Sequence, residues 1–152
     1  MEGVAFPRLR GIARVLVLKA LEDSPLHGYA LMQRIREATG VRPSPGYLYP
    51  LLRKLEREGL IKSSEAELRG RRVRVYELTD KGRLYLAQNK QLVERAEELV
   101  RKLSAAREIG LQRLIGVLRE IFERADALDD QTKQKIRCAV DEFSKSVRGL
   151  IG

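Results

Sequence analysis

The chain has 152 residues, of which 43% are hydrophobic and 34% charged, a balance typical of a folded globular protein. Its apolar runs are too short to cross a bilayer and its one cysteine cannot form an internal disulfide, which favours a cytoplasmic protein. The formal net charge is +9 at pH 7, and a surplus of this size favours a polyanionic partner such as nucleic acid or an acidic membrane surface.

Apolar residues at helical spacing predict three helices before residue 60. The first covers residues 9–21 and the second residues 28–38. The third begins near Gly46, because Pro50 is tolerated only in the first turn of a helix, and it ends at Gly59. The predicted apolar faces are Tyr29, Leu31, Met32 and Ile35 on the second helix and Leu48, Leu51, Leu52 and Leu55 on the third.

Two short strands are predicted after the third helix, over residues 60–67 and 73–78. The second strand alternates between apolar and polar positions, which is the period of a strand. Between the two, Arg69-Gly70-Arg71 is typical of a hairpin tip. Three helices, a strand, a basic turn and a returning strand follow one another in the order of a winged helix-turn-helix domain. The predicted fold is therefore mainly α with a small β-hairpin wing.

The third helix and the wing together predict a nucleic-acid interface. Residues 69–74 hold four arginines and no acid, and such a cluster repels itself unless an anion neutralises it. A helix of this kind fits the major groove, where we expect Tyr47 and Arg53 to contact bases and Lys54 a phosphate. The alternative for the helix alone is a solvated face with i,i+4 ion pairs. The predicted DNA-binding residues are Ser44, Tyr47, Tyr49, Arg53, Lys54, Arg69, Arg71, Arg72 and Arg74.

A long fourth helix is predicted over residues 81–103, capped by Thr79 or Asp80, with two further helices over residues 109–125 and 131–147. A winged domain of about 80 residues fills its core with its own three helices, so the apolar seam of the fourth helix needs another surface. We expect residues 1–80 to form the winged helix DNA-binding domain and residues 81–152 a helical dimerisation region. The alternative is that the seam packs against the chain's own core. The predicted dimerisation residues are Tyr85, Leu92, Ala96, Leu99 and Leu103.

The sequence contains no pattern of a catalytic or metal site. We find no nucleophile–base pairing, no Gly-rich phosphate loop and no cluster of His and Cys, and we therefore expect no enzyme activity, no metal and no cofactor. The single histidine, His27, is predicted to cap or pack the start of the second helix.

Four segments resemble the PadR family of transcriptional regulators, over roughly residues 9–103. The resemblance implies a homodimeric repressor that binds an inverted repeat in double-stranded DNA, with the long helix as the dimer element. Some members bind a small hydrophobic effector at the dimer interface. Tyr47 stands where the family commonly has a small residue, so a contact at this position is not carried over. The four segments are Leu26-His27-Gly28-Tyr29, Gly46-Tyr47-Leu48-Tyr49-Pro50-Leu51-Leu52-Arg53-Lys54-Leu55-Glu56, Glu58-Gly59-Leu60-Ile61 and Tyr76-Glu77-Leu78-Thr79-Asp80-Lys81-Gly82.

Three functions therefore stand at this point. The first is a dimeric, sequence-specific regulator in the cytoplasm, associated with the nucleoid and without a membrane partner. The second is an architectural protein that coats DNA without sequence preference. The third is an adaptor whose winged domain contacts another protein, which the arginine-rich wing disfavours.

Overall fold

The computed structural model describes residues 10–152, and the predicted start of the first helix at Leu9 lies outside the described residues. The chain divides into two compact units, the first ending at Ile109 and the second beginning at Gly110. The predicted functional division at residue 80 stays a prediction. The elements are α1 (Arg10–Ala20), β1 (Leu26–His27), α2 (Gly28–Thr39), α3 (Pro45–Arg57), β2 (Ile61–Leu68), β3 (Arg71–Leu78), α4 (Asp80–Gln88), α5 (Lys90–Glu108), α6 (Leu111–Arg124) and α7 (Asp130–Ile151).

One face of each of the first three helices forms the core of the first unit. Spacings of three and four place Leu48, Leu52 and Leu55 on the buried side of α3. They belong to the same apolar cluster as Val15 of α1 and Leu31 of α2. Because a fully buried leucine contributes roughly 1.5–3 kcal/mol, this face fixes α3 against its neighbours and leaves the opposite face in solvent.

The predicted hairpin is confirmed, and a third strand joins it. β2 and β3 pair antiparallel from Ile61↔Leu78 to Leu68↔Arg71. The two-residue β1 pairs with the other edge of β3, which gives the strand order β1-β3-β2. Periodicity could not predict β1, because two residues are too few to show an alternation. The sheet ties the start of α2 to the base of the wing, since β1 leads directly into α2.

The prediction of one long helix over residues 81–103 is wrong, because Asn89 divides it into α4 and α5. Asn89 has φ −110° and ψ 44°, outside the helical region. Its side-chain amide donates to the carbonyl of Tyr85 at 2.8 Å, in addition to its own backbone N–H, and such local side-chain bonds favour a departure from regular helix. The second of the two helices then extends to Glu108, beyond the predicted end.

The core of the first unit extends into α4 and α5, in contrast to the expectation that three helices fill it. Leu86 of α4 and Ala96 of α5 are both buried. Lys19 of α1 lies 3.0 Å from Glu97 of α5, and the hydrogen bond to that carboxylate raises the pKa of the Lys19 ammonium. Helix α5 therefore packs on the winged domain of its own chain.

The second unit consists of the predicted last two helices, α6 and α7, neither of which buries a side chain. Asp129 caps α7, because its carboxylate accepts from the backbone N–H of Thr132 at 2.7 Å. That bond lowers the pKa of the Asp129 carboxyl. Across residues 10–152, no helix is both long enough and apolar enough to cross a membrane.

Candidate nucleic-acid interface

Ser44 fixes the start of α3, the helix predicted to enter DNA. Its Oγ accepts from the backbone N–H of Tyr47 at 3.3 Å, and Pro45 follows in the first turn, where its missing N–H costs no bond. Ser44 therefore acts as a helix cap in the structure. The exposed side of the helix carries Tyr47, Arg53 and Lys54, all three predicted to contact DNA.

Tyr49, which is also predicted to contact DNA, packs one side of its ring against the start of α2 and stays 37% exposed. A Cβ added to Gly28 would lie 2.5 Å from the Tyr49 hydroxyl and 2.9 Å from the ring, so only glycine leaves room for the phenol. The ring of Tyr49 thus lies against the start of α2. Tyr47, two residues earlier, is 48% exposed and remains free to contact a ligand.

The tip of the wing is a two-residue turn in which both residues have positive φ. Arg69 has φ 50° and Gly70 has φ 75°, as in the primed turns that match the twist of a hairpin. All four wing arginines, Arg69, Arg71, Arg72 and Arg74, have exposed side chains. The structure therefore brings a row of cations to the surface, as the sequence predicted.

Strand β2 places acidic residues opposite the wing arginines, although residues 69–74 contain no acid. Glu65 pairs in register with Arg74, and Glu67 pairs with Arg72. Arg72 lies 4.0 Å from Glu65, but these two side chains are 88% and 78% exposed, so the ion pair contributes little. Among the ion pairs of residues 10–152, none involves Arg69 or Arg71. These two are the free cations of the wing tip.

Arg74 differs from the other wing arginines because it joins the wing to α3. Its Nε donates to Ser63 Oγ at 2.8 Å, and its Nη2 lies 3.6 Å from Glu56 Oε2. Ser63 in turn donates its hydroxyl hydrogen to Glu56. One carboxylate on α3 thus holds one residue from each strand of the wing. Sequence analysis missed this network, because its three members belong to three different elements and meet only when the hairpin folds back on α3.

An exposed cation–π pair between Tyr29 of α2 and Arg42 was also missed. The helical period predicted Tyr29 on the apolar face of α2, and this is wrong, because Tyr29 is 58% exposed. The guanidinium of Arg42 lies 4.8 Å from the centre of its ring, a cation–π contact. Tyr49 of α3 lies against Gly28, the residue that precedes Tyr29.

His27 caps α2, which confirms its predicted role. Its Nδ1 accepts from the backbone N–H of Ala30 at 3.3 Å. Within the described part of the chain, no group of three or more His, Cys, Asp or Glu side chains is placed to hold a metal ion.

Three of the five predicted dimerisation residues pack within one chain. The guanidinium of Arg14 lies 5.4 Å from the ring centre of Tyr85, and Ala96 is 1% exposed. Leu92 packs on α1, where a Cβ added to Gly11 would lie 3.2 Å from its methyl group. Leu99 and Leu103, farther along α5, are half-buried. The packing therefore gives Tyr85, Leu92 and Ala96 a role that needs no second copy.

A shallow groove of about 420 Å³ lies between α1, α2 and α5. Apolar side chains that include Leu16, Ile35 and Val100 line it, and charged side chains that include Arg34 and Glu97 stand at its rim. Its volume lies within the range of about 300–1,000 Å³ that is usual for sites of small ligands.

A capped recognition helix beside an arginine-bearing hairpin defines the winged-helix class of transcriptional regulators. The family described as "Transcriptional regulator PadR-like family" matches residues 17–88. The "Transcriptional regulator Rv3488" of Mycobacterium tuberculosis is 37% identical over 94 residues, which are 62% of this chain and 84% of that protein. The chain belongs to the PadR-like family, whose members are transcriptional regulators and not enzymes.

Two solved structures share the fold. A transcriptional regulator from Clostridium thermocellum, Cth-833, has a TM-score of 0.53 and 27% identity, and the match covers 62% of this chain and 95% of that one. The regulator TA0346 from Thermoplasma acidophilum, described as putative, has a TM-score of 0.52 and 30% identity over 64% of this chain and 96% of that one. Both matches leave about a third of this chain without a counterpart.

Proposed function

We propose that this protein is a sequence-specific DNA-binding regulator, a homodimeric repressor of an inverted-repeat operator in the nucleoid of the cytoplasm. The observation that carries the proposal is the pairing of the exposed face of α3 with a cationic wing tip. Arg53 and Lys54 project from the helix, and Arg69 and Arg71 lie free at the tip. A helix of this kind reads base edges, while wing cations bind the flanking phosphates.

Membership of the PadR-like family supports the dimeric and repressive parts of this proposal. A two-fold dimer presents two copies of α3 to successive major grooves, about 34 Å apart. Such spacing reads a palindrome, and occupation of a palindrome at a promoter blocks transcription. Leu99 and Leu103 of α5 are the members of the predicted seam that remain partly open to a second copy.

The groove between α1, α2 and α5 supports a response to a small hydrophobic effector. Its apolar lining and its volume of about 420 Å³ suit a molecule of one or two rings. Because α2 borders the groove and precedes α3 in the chain, a ligand there would alter the position of the recognition helix.

The competing function is an architectural protein that coats DNA without sequence preference. The net charge of +9 favours it, because phosphate contacts alone give affinity for any duplex. The exposed base-reading positions of α3 favour the specific regulator instead, since a coating protein does not need them.

Selection of bound fragments from the host genome, followed by footprinting, tests the proposal. We expect one protected palindrome upstream of the protein's own gene or a neighbouring gene. Arg53→Ala should change the preference among sequences, whereas Arg71→Ala should weaken binding to all of them. A uniform ladder on every fragment, with equal competition by random DNA, would establish the architectural function instead.

A further inference from the structure

The cation of Arg42 is paired with an aromatic ring and not with an acid. Its guanidinium carbon lies 4.8 Å from the ring centre of Tyr29, which is 58% exposed. Among the ion pairs of residues 10–152, none involves Arg42. A phenol ring attracts a cation without neutralising it, so the full charge of Arg42 is left for an anion from outside the chain.

A cation–π contact also leaves the hydrogen-bond donors of arginine available. The five N–H donors of a guanidinium lie in its plane, and an aromatic ring that binds the group accepts no conventional hydrogen bond from most of them. A carboxylate partner would instead occupy two of these donors. The same donors match the oxygens of a phosphate in pairs, so the Tyr29–Arg42 pair suits a phosphate as its ligand.

Contacts within the first unit fix both members of the pair before a ligand binds. The ring of Tyr29 stacks with the ring of His27, with centres 6.4 Å apart and planes 21° apart, and His27 is itself held as the cap of α2. Pro43 follows Arg42 and restricts its backbone to extended conformations. A cation held in this way loses less conformational entropy on binding an anion than a free side chain does.

The pair is close to the end of α3 at which a recognition helix meets base edges. Arg42 stands two residues before Ser44, the cap of α3, so its backbone lies within about 7 Å of that cap. Tyr29 follows Gly28, against which Tyr49 of α3 packs. The cation of Arg42 therefore belongs to the same region as the recognition helix, on a segment separate from the wing.

We propose that Arg42, positioned by Tyr29, binds a phosphate of the DNA backbone beside the groove that α3 enters. Arg42 touches DNA, and Tyr29 is the positioning residue. The inference rests on the proposed DNA-binding function and adds to it a contact outside both the wing and the exposed face of α3. Since every sequence carries the same phosphates, the contact contributes affinity and register and not base preference.

Fluorescence anisotropy of the full-length protein with two labelled duplexes, over a range of salt concentrations, tests this contact. One duplex is a fragment that the protein selects from the host genome, and the other is a mixed-sequence duplex of the same length. Arg42→Gln should lower the affinity for both duplexes by about tenfold. It should also reduce the slope of log affinity against log salt concentration by about 0.9 for each bound protomer.

Arg95→Gln is the matched control for this variant. It removes an exposed arginine from α5, a helix that packs on α1 and α2, and should leave affinity and slope unchanged. A slope that falls equally in Arg95→Gln and Arg42→Gln would mean that any surface cation contributes, and would overturn the contact.

The positioning role of Tyr29 has its own variants. Tyr29→Leu removes the ring and keeps the charge of Arg42, so affinity should fall by about two- to fivefold while the salt slope stays that of the wild type. Tyr29→Phe keeps the ring and should bind as the wild type does. The double variant of Tyr29→Leu and Arg42→Gln should bind no more weakly than Arg42→Gln alone, because the two residues act as one unit.

The outcomes separate this inference from the proposed function. Wild-type affinity and slope of Arg42→Gln would overturn the phosphate contact and leave sequence-specific binding by α3 unaffected. Wild-type binding of Tyr29→Leu, beside weakened binding of Arg42→Gln, would overturn the pair as a unit. Equal affinity of the wild type for both duplexes would overturn the sequence-specific regulator, whereas a reduced slope of Arg42→Gln on those duplexes would still support the contact.

Discussion

The guanidinium of Arg74 lies where the wing meets α3. Its contacts there add little to the stability of the fold, but they fix the position of the wing relative to α3. Its ion pair with Glu56 joins side chains that are 61% and 32% exposed, and pairs of this kind contribute about 1 kcal/mol or less. Ser63, bonded to both, completes the link between the two elements. We expect the network to hold the wing at a fixed distance from α3, so that both can contact one duplex.

Glu56→Gln separates this positioning role from simple electrostatics. Removal of a negative charge beside DNA should by itself raise affinity, whereas release of the wing should lower it. We expect affinity for the operator to fall by about fivefold, the equivalent of about 1 kcal/mol. Arg74→Gln should cause a similar loss, and the double variant should be no worse than either single one, as fluorescence anisotropy with labelled operator would measure.

Two results would contradict a positioning role for Glu56 and Arg74. Higher affinity of Glu56→Gln, or losses that add in the double variant, would make Arg74 an independent phosphate contact. Arg72→Gln is the matched control, because Arg72 lies on the same strand and its ion pair is with Glu65 of β2 and not with a residue of α3. Its effect should be the same whether residue 56 is Glu or Gln.

At the scale of elements, the junction between the wing and α4 depends on a close backbone approach. Thr79 caps α4 by accepting from the N–H of Gly82 at 3.1 Å, and it donates its hydroxyl hydrogen to the carbonyl of Gly59 at 2.6 Å. A Cβ on Gly82 would overlap the backbone carbonyl of Leu60. The backbone thus explains the Thr-x-x-Gly pattern, since the first residue caps the helix and the glycine leaves room for the preceding turn.

Gly82→Ala should destabilise the first unit by about 3 kcal/mol, because the carbonyl it meets belongs to backbone and cannot rotate away. Gly46→Ala is the matched control, because no atom lies within 4 Å of the added carbon and alanine favours the helix by roughly 0.5–1 kcal/mol. All five tyrosines lie before residue 110, so urea unfolding followed by tyrosine fluorescence reports the first unit alone. Equal stabilities of the two variants would mean that the backbone yields at Gly82.

The elements that sequence analysis predicted well are those with local signals. Leucine spacing, Pro50 and Gly59 bounded α3 closely, and strand alternation gave the wing. The features it missed depend on contacts between distant segments. The strand β1 exists because β3 offers a free edge, and Glu56 meets Arg74 only after the wing folds back on α3. Tyr29 fits the helical period, but its ring lies under Arg42 in solvent.

At the scale of the whole molecule, the positive charge and the uncovered apolar surface lie in different units. Residues 110–152 carry a net charge of +1 from 8 Lys and Arg against 7 Asp and Glu, so the remaining +8 lies before them. The exposed apolar side chains of α6 and α7, which include Phe122, Phe143 and Leu150, belong to the nearly neutral unit. The surplus of positive charge that can bind DNA is therefore confined to residues 1–109.

The salt dependence of operator binding should follow this division. Each phosphate contact contributes about 0.9 to the slope of log affinity against log salt concentration. Replacement of Arg69 and Arg71 by Gln should therefore reduce the slope by up to about 1.8. Replacement of Arg137 and Arg148 by Gln removes the same charge from the polar side of α7 and should leave the slope unchanged. Equal reductions in both pairs would place the second unit on the DNA, and the separation of the two surfaces would then be wrong.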